Sequence, residues 1–317
     1  MGVSLVSVIV VSWNSGKYLY TCLKKLSAQT CESFEVIIVD NGSSDGDTHG
    51  IEEKFPELNI HTKTLSKNTG FAVANNIGAQ MAQGKWLVLL NADAFPEPDW
   101  LENLVRAAEQ FPNASFSSRQ IQANRPERLD GEGDIYRLTG FAKRRSYNIP
   151  VYPPHEELVK IFSPCAAAAL YPRQAFGDVE GFDEDYFSYY EDVDLGFRLR
   201  LYGLESYYVP SAIVHHVGSA STGKMSDFSV YYAHRNLIWT YLKNMPSLFL
   251  WFTLPLHILI SFAFLLTRHR KVIWQAKKDA LLAFPSVLEK RKEIQKNRKA
   301  SLKEIWRAFD KRIFVRY

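Results

Sequence analysis

Cysteine is scarce in this chain of 317 residues: only Cys22, Cys31 and Cys165 are present. They form no CxxC pair and no cysteine–histidine ligand set. Such an odd, sparse count argues against a disulfide framework and is typical of a reducing compartment. The chain also has no basic segment before its first apolar run, so we expect no signal peptide. The predicted location is therefore the cytoplasm.

A glycine-rich dinucleotide fingerprint is missing after the first predicted strand, where the sequence has SWNSGK at 12–17. A dehydrogenase needs those glycines to bring the backbone close to a pyrophosphate, so that class is excluded. A nucleotidyltransferase usually has a basic, glycine-rich loop at this position, which Lys17 alone does not provide. Zinc-finger spacing is missing as well.

Charge is distributed unevenly along the chain. The segment 268–317 contains 16 Lys and Arg against 5 Asp and Glu, whereas the first 267 residues are acidic overall. A basic tail on an acidic body indicates a negatively charged partner, either a nucleic acid or an anionic membrane surface. The tail has no stacking platform, which disfavours the nucleic acid.

Predicted strands and helices alternate over the first part of the chain, which favours an α/β fold with a doubly wound parallel sheet. The periodicity weakens between Arg119 and Pro164, where we expect loops and a mixed-sheet subregion. Past Ser229 the pattern becomes helical and aromatic. We therefore expect a catalytic domain at 1–228, with halves at about 1–115 and 116–228, and a helical, basic region at 229–317.

Two motifs could bind a nucleotide at the carboxyl ends of the strands. Asp40 ends the predicted strand VIIVD, where its carboxylate could accept a hydrogen bond from a ribose or a base; the alternative is a simple Asx turn. KNTGFAVANNIG, at 67–78, surrounds a helix start with Asn68, Gly70 and Asn75. That helix N-terminus could face a diphosphate, or its small residues could serve tight packing.

Two further motifs could bind a metal ion. Asn91 and Asp93 follow the apolar run WLVLL, so their oxygens should point the same way if the strand continues through them. Mg²⁺ and Mn²⁺ prefer such oxygen ligands; the alternative is a plain polar turn. His215 and His216 end a later strand, and at most one of them can face the site, because neighbouring strand residues point to opposite sides.

An acidic cluster follows an aromatic stretch in FSYYEDVDLGFR, with Glu191, Asp192 and Asp194 in one predicted helical turn. They cannot all share a face, so we expect one of them to cap the helix or to pair with Arg198. A carboxylate among aromatic side chains could serve as a general base for a hydroxyl group. The alternative is an acidic cluster that is stabilised by the helix dipole.

Leu248–Leu266 is almost uncharged and just long enough to span a membrane. Pro255 and His257 near its middle equally suit a helix that lies in the membrane interface. A buried helix at a dimer interface is the third alternative. The basic residues that follow favour the cytoplasmic side of the membrane.

These motifs together resemble the family-2 inverting glycosyltransferases, in particular their bacterial rhamnosyltransferase-like branch. The resemblance covers about Ser4 to Thr222. The motifs that show it are VSVIVVSWN, VIIVDNGSSDG, KNTGFAVANNIG, LLNADAF, GFDEDYFSYYEDVDLGFRLRLYG and HHVGSAS. It implies a glycosyltransferase A-type, Rossmann-like fold that binds a nucleotide-sugar, with dTDP-rhamnose as the expected donor.

The resemblance also implies roles for individual residues. Asp192 matches the general base, and Glu191 should hold the acceptor or that base. Asp93 and His216 match the ligands of a Mg²⁺ or Mn²⁺ ion, although Asn91 stands where the family pattern DxD has an aspartate. The residues expected at the nucleotide-sugar are Ser12, Asn14, Asp40, Asn68, Gly70, Asn75 and Asn91.

The expected acceptor is a glycan or a polyprenyl-diphosphate-linked glycan at the cytoplasmic face of the inner membrane. The oligomeric state is left open. The alternative function is a membrane- or nucleic-acid-binding protein with a nucleotide-binding sheet and no transferase activity.

Overall fold

The computed structural model describes residues 6–218 and 226–312. Its strands are β1 Val6–Ser12, β2 Phe34–Asp40, β3 Ile60–Thr64, β4 Trp86–Asn91, β5 Ala94–Pro96, β6 Ala114–Gln122, β7 Arg125–Gly131, β8 Asp134–Tyr136, β9 Ala142–Arg144, β10 Val159–Ile161, β11 Ala168–Pro172 and β12 Glu205–His216. Its α-helices are α1 Gly16–Leu26, α2 Ile51–Lys54, α3 Phe71–Met81, α4 Trp100–Gln110, α5 Arg173–Asp178, α6 Glu191–Leu201, α7 Asp227–Asn244, α8 Ser247–Ala263, α9 Arg270–Leu282, α10 Phe284–Lys296 and α11 Leu302–Ala308. Short 3₁₀ helices cover Glu184–Tyr186 and Phe264–Leu266.

The central sheet has the strand order β10-β12-β6-β11-β4-β1-β2-β3, with β5 paired to β12 and β7 to β6. Strands β1 to β4 are parallel, as the alternation of strands and helices predicts. Strand β11 is antiparallel to both β4 and β6, so the sheet as a whole is mixed. The mixed-sheet subregion expected after Arg119 is present as β6 and β7 and the β8–β9 pair.

Both faces of the sheet are covered, because apolar side chains point alternately to its two sides. On β1, Val8 and Val10 belong to a core with α1 and α4, where Trp100 is fully buried. Ile9 points the other way, into a core that includes residues of α3, α5 and α6. The carboxyl ends of the parallel strands are thus left as the exposed edge where a site can form.

The C-terminal helices pack on the sheet domain through an aromatic cluster. Phe309, just after α11, is 5.9 Å from Phe162 and 5.8 Å from Phe197 between ring centroids. Tyr241 of α7 and Phe249 of α8 belong to the same cluster. A shared core therefore joins α7, α8 and α11 to the domain that precedes them, and the predicted domain boundary at 228 stays a prediction.

A buried ion-pair network lies between α6 and α7. Lys243 is 1% exposed and lies 2.8 Å from Asp194 Oδ1, and it also pairs with Asp183. Asp194 accepts a further charged hydrogen bond from Arg198 Nε at 2.8 Å. One of the three clustered acids therefore pairs with Arg198, as the sequence predicted, and has a structural place in the fold.

Replacing Lys243 with methionine is expected to lower the free energy of unfolding by about 3 kcal/mol, because it leaves buried carboxylates short of a partner. Urea unfolding measures the change. Lys160→Met is the matched control: its pair with Glu205 is 66% and 48% exposed, so it should cost less than about 1 kcal/mol. Equal losses for the two variants would contradict the structural importance of Lys243.

Candidate active site

A cavity of about 410 Å³ opens at the carboxyl ends of β1, β2 and β4. Its volume falls in the range of small-molecule sites, which is about 300–1,000 Å³. Its lining includes four groups of residues that lie far apart in sequence. They are Asn68 and Gly70, then Asn91 and Asp93, then Glu191 and Asp192, and finally His216.

His216 links two carboxylates at one side of the cavity. Its Nε2 lies 3.3 Å from Asp93 Oδ1, and its Nδ1 lies 2.8 Å from Asp130 Oδ2. Burial lowers the pKa of His216, but the hydrogen bonds to Asp130 and Asp93 outweigh it and raise that pKa to about 9. Burial raises the pKa of Asp93, whereas His216 and the Gly218 N–H more than offset this and leave it below its usual range. Both ring nitrogens of His216 therefore face a carboxylate.

Asn91 and His215 complete this side of the site. The Nδ2 of Asn91 is 3.4 Å from His216 Nε2, so both polar residues at the end of β4 approach the same imidazole. His215 points away and lies 2.9 Å from Glu97. Only one histidine of the pair therefore faces the cavity, as the strand alternation predicts, and it is His216.

The donor set fits a divalent metal ion. Asp93 supplies a carboxylate oxygen and His216 an imidazole nitrogen, and a nucleotide diphosphate would supply further oxygens. Asp130 holds the other ring nitrogen, which is the arrangement that orients metal-binding histidines in proteins. Within residues 6–218 and 226–312, no group of three or more His, Cys, Asp or Glu is placed to hold a metal without a substrate.

Asp192 lies in the first turn of α6 and is only partly buried. Its Oδ2 accepts a hydrogen bond of 3.2 Å from the Ala166 N–H, and its Oδ1 accepts one of 2.8 Å from the Val193 N–H. Burial raises the pKa of Asp192, and these hydrogen bonds offset only part of the rise. A carboxylate with a raised pKa in a cavity is suited to accept a proton from a hydroxyl group.

Glu191 is buried beside Asp192 and also lines the cavity. Burial, and then the charge of Asp192, raise the pKa of Glu191 well above its usual range. Its Oε2 has no hydrogen-bond partner among the residues that the structure describes. If Glu191 is protonated, its carboxyl group can donate a hydrogen bond to a bound substrate.

The loop before α6 holds three aromatic residues in the left-handed conformation. Phe187, Tyr189 and Tyr190 have φ values of 64°, 66° and 69°. Asn236 of α7, fully buried, holds the loop by donating to the carbonyls of Tyr186, Ser188 and Tyr189. Strain of this kind persists only where the surrounding structure imposes it, and here it brings the three aromatic residues to the cavity wall.

The same loop closes the N-terminus of α3. The carbonyl oxygen of Phe187 accepts a hydrogen bond from the Phe71 N–H at 2.6 Å and a longer one from the Ala72 N–H at 3.4 Å. A Cβ on Gly70 would lie 2.6 Å from this carbonyl oxygen, so glycine is required there. The N–H groups of Phe71 and Ala72 are thus already bonded, and a contact between this helix N-terminus and a diphosphate stays a prediction.

Ser12 and Asp40, predicted to contact the donor, lie on the same sheet edge. They are register partners on β1 and β2, and both are buried. Asp40 accepts from Thr48 at 2.6 Å and from the Ser43 N–H at 2.9 Å. Burial raises the pKa of Asp40, but these hydrogen bonds outweigh it and lower the net value. A nucleoside contact at Asp40 stays a prediction.

Asn14, Asn68 and Asn75 were also predicted to lie at the donor. Asn14 is exposed and accepts from the Ser44 N–H at 2.8 Å. Asn68 reaches the cavity wall, where its Oδ1 accepts from Asn41 Nδ2 at 3.1 Å. Asn75 is buried inside α3 and donates to the Phe71 carbonyl, so the structure does not bring it to the cavity.

The sequence analysis missed three ionisable residues at or beside the cavity, Asp130, Asp134 and Arg144. Asp134 and Arg144 line the cavity, and Arg144 lies 2.7 Å from the carboxylate of Asp130. Burial, then the charge of Asp192, raise the pKa of Asp134 well above its usual range. The alternating acids in LDGEGD at 129–134 were the available signal.

Most of the Gly/Ser loop predicted after His216, at 219–222, lies outside the described residues.

An open α/β sheet with this edge cavity is the glycosyltransferase A-type fold, and comparison with solved structures supports it. GalNAc-T7 with UDP, GalNAc and Mn²⁺ aligns with a TM-score of 0.63 at 16% identity, covering 76% of this chain and 48% of that one. Residues 1–349 of S. aureus TarS in complex with UDP-GlcNAc align with a TM-score of 0.60 at 18% identity, covering 92% and 88%. At such identities these likenesses establish the fold alone.

The family follows from the sequence. The model of glycosyl transferase family 2 matches residues 7–179, so this chain belongs to that family. It is 29% identical over 296 residues to N-acetylglucosaminyl-diphospho-decaprenol L-rhamnosyltransferase of Mycobacterium tuberculosis, an alignment that covers 84% of this chain and 92% of that relative. The predicted resemblance to the rhamnosyltransferase-like branch is confirmed.

Proposed function

We propose that this glycosyltransferase moves rhamnose from dTDP-rhamnose to a hydroxyl group of a lipid-linked glycan acceptor in the synthesis of a cell-surface polysaccharide. The observation that supports a transfer reaction most strongly is that Asp192 and the pair of Asp93 and His216 line one cavity. One carboxylate with a raised pKa can take up a proton, and the other groups can bind a charged leaving group. The rhamnose donor and the lipid-linked acceptor rest on the relative from Mycobacterium tuberculosis.

In the proposed reaction, Asp192 accepts the proton of the acceptor hydroxyl as its oxygen attacks the anomeric carbon. The bond from that carbon to the diphosphate breaks, and the nucleoside diphosphate leaves with the electron pair. A single displacement from the opposite face inverts the anomeric configuration. Glu191, whose Oε2 has no hydrogen-bond partner in the described part of the chain, would orient the acceptor.

Asp93 and His216 would hold a Mg²⁺ or Mn²⁺ ion. Bound there, the ion would act as a Lewis acid that neutralises the charge of the leaving diphosphate. Asn91 lies beside His216 and would contact the donor. Asp130 would keep His216 oriented, since it bonds the ring nitrogen that the metal does not use.

We further propose that the protein works at the cytoplasmic face of the inner membrane. One helical segment, Ser247–Leu266, is long and apolar enough to contact or cross a bilayer, which by itself is weak support. The basic composition of 268–317 suits an anionic lipid surface. A lipid-linked acceptor would be found at that surface.

The proposed donor is tested by measuring release of nucleoside diphosphate from a panel of nucleotide-sugars, with Mn²⁺, Mg²⁺ or EDTA present. A water-soluble N-acetylglucosaminyl diphosphate with a short alkyl chain serves as acceptor. We expect dTDP-rhamnose to be turned over at least about tenfold faster than any other donor, since specific polar contacts give such discrimination. Equal turnover of several donors would refute the rhamnose assignment, and faster turnover of a different sugar would replace it.

A further inference from the structure

Helix α8 presents an apolar stripe to solvent along its whole length. The exposed side chains recur every three or four residues, at Leu248, Trp251, Phe252, Pro255, Ile258, Leu259 and Phe262. Trp251 is 71% exposed and Phe252 is 80% exposed. A continuous exposed apolar face on a folded protein marks a surface that another apolar phase or partner covers.

The opposite face of α8 is bound to the rest of the protein by polar contacts. Thr253 Oγ1 lies 2.8 Å from the Tyr241 hydroxyl, and His257 Nδ1 lies 2.9 Å from the Thr139 carbonyl. The rings of His257 and Tyr241 stack at 3.9 Å. Ser261, one turn further along, accepts from Lys277. These buried polar groups would lose their partners if α8 left the protein to cross a bilayer, which is costly in lipid.

Helix α9 continues the exposed surface with a mixed character. Its solvent-facing side chains alternate between basic and apolar at Lys271, Trp274, Lys278 and Leu281. Trp274 is 57% exposed and Leu281 is 64% exposed. Lysines beside tryptophan and leucine are typical of helices at the boundary between lipid headgroups and acyl chains. This charge favours an anionic bilayer over a second copy of the chain as the occupant.

We propose that α8 lies in the plane of the membrane and does not span it. Its apolar stripe would insert at the boundary between the headgroups and the acyl chains of the anionic cytoplasmic leaflet. The inference rests on the membrane association proposed above and gives it a geometry. The ring of Phe141 lies 5.3 Å from that of His257 on α8, measured between centroids. The next two residues, Ala142 and Lys143, line the cavity. A helix α8 that lies on the membrane would therefore hold the cavity mouth near the lipid surface. A lipid-linked acceptor could reach Asp192 there without leaving the membrane.

The orientation is tested by labelling single cysteines, S247C at the start of α8 and T267C just after the 3₁₀ helix that follows it, each combined with C31S. Both positions are exposed, and the remaining Cys22 and Cys165 are buried. The full chain in sealed inner-membrane vesicles of known orientation is treated with a membrane-impermeant maleimide. We expect both cysteines to react from the cytoplasmic side. Reaction from opposite sides would show a spanning helix and overturn the proposal.

The stripe itself is tested by the double variant W251E/F252E, with I149E as the matched control at another exposed apolar residue. We expect binding to vesicles of anionic phospholipid to weaken at least about tenfold in the double variant only. Thermal unfolding and turnover of a water-soluble acceptor should not change. If the double variant binds vesicles as tightly as the unaltered chain, the proposal is overturned. This holds whether or not the substitutions also convert a dimer of the chain to a monomer. If the unaltered chain transfers no sugar, the proposed function is refuted instead. The cysteine labelling and vesicle binding would still decide how α8 meets the membrane.

Discussion

Replacing Asp192 with asparagine is expected to lower kcat by about three orders of magnitude, within the range that general-base catalysis contributes. Asparagine has nearly the same shape, and its one amide oxygen can still accept the hydrogen bond from one of the two N–H groups, those of Ala166 and Val193. It cannot take up a proton. Binding of the nucleotide-sugar, measured by calorimetry, should stay within about twofold of the unaltered chain, because the change removes a step of the reaction and not a donor contact.

The pH profile gives a second test of Asp192. A base must be deprotonated to act, so kcat/KM of the unaltered chain should fall on the acid side as Asp192 takes up a proton. Burial raises the pKa of this carboxyl, so the fall should begin at a higher pH than for an exposed aspartate. The residual activity of Asp192→Asn should not show that limb.

Two comparison variants make the assignment of Asp192 decisive. Asp178→Asn changes an exposed carboxylate on α5 and should leave kcat unchanged. Glu191→Gln should raise KM for the acceptor more than it lowers kcat, since glutamine can still donate a hydrogen bond. If Glu191→Gln abolishes turnover while Asp192→Asn retains it, the roles of the two residues are exchanged.

The sequence predicted the parts of the site that lie on regular strands and helices. Apolar runs that end in polar residues marked the carboxyl ends of β2 and β4, which places Asp40 and Asn91 at one edge. Strand alternation correctly separated His215 from His216, because the period of a strand is two residues. The start of α6 at Glu191 followed from the change to helical spacing.

What the sequence did not predict depends on contacts between distant segments. Asp130 meets His216 because β7 pairs with β6 through two register shifts, and local patterns do not encode such shifts. The N-terminus of α3 is closed by a carbonyl from residue 187, more than a hundred positions later, in a loop whose φ values are rare for aromatic residues. Asn75 resembles a polar ligand in sequence but lies on the buried side of α3.

Replacing Asp93 with asparagine is the second change for which we expect a large loss, about two to three orders of magnitude in kcat/KM, in line with the several kcal/mol that a metal ion supplies. The variant keeps the shape of the side chain and can still accept from the Gly218 N–H, which Asp93 Oδ2 does at 3.2 Å. It removes the carboxylate charge that lies beside His216 Nε2. The loss should therefore come from the metal and not from the fold.

A binding measurement separates the metal from the reaction. In the unaltered chain, Mn²⁺ should strengthen the binding of a nucleoside diphosphate, whereas in Asp93→Asn the affinity should be the same with Mn²⁺ or with EDTA. Asp99→Asn, an exposed aspartate at the start of α4, is the control and should behave like the unaltered chain. If Mn²⁺ strengthens nucleotide binding equally in all three proteins, Asp93 is not a ligand and the polar residues that end β4 form only a turn. If it strengthens binding only where Asp93 is intact, the carboxylate after β4 is there because the leaving diphosphate needs a metal.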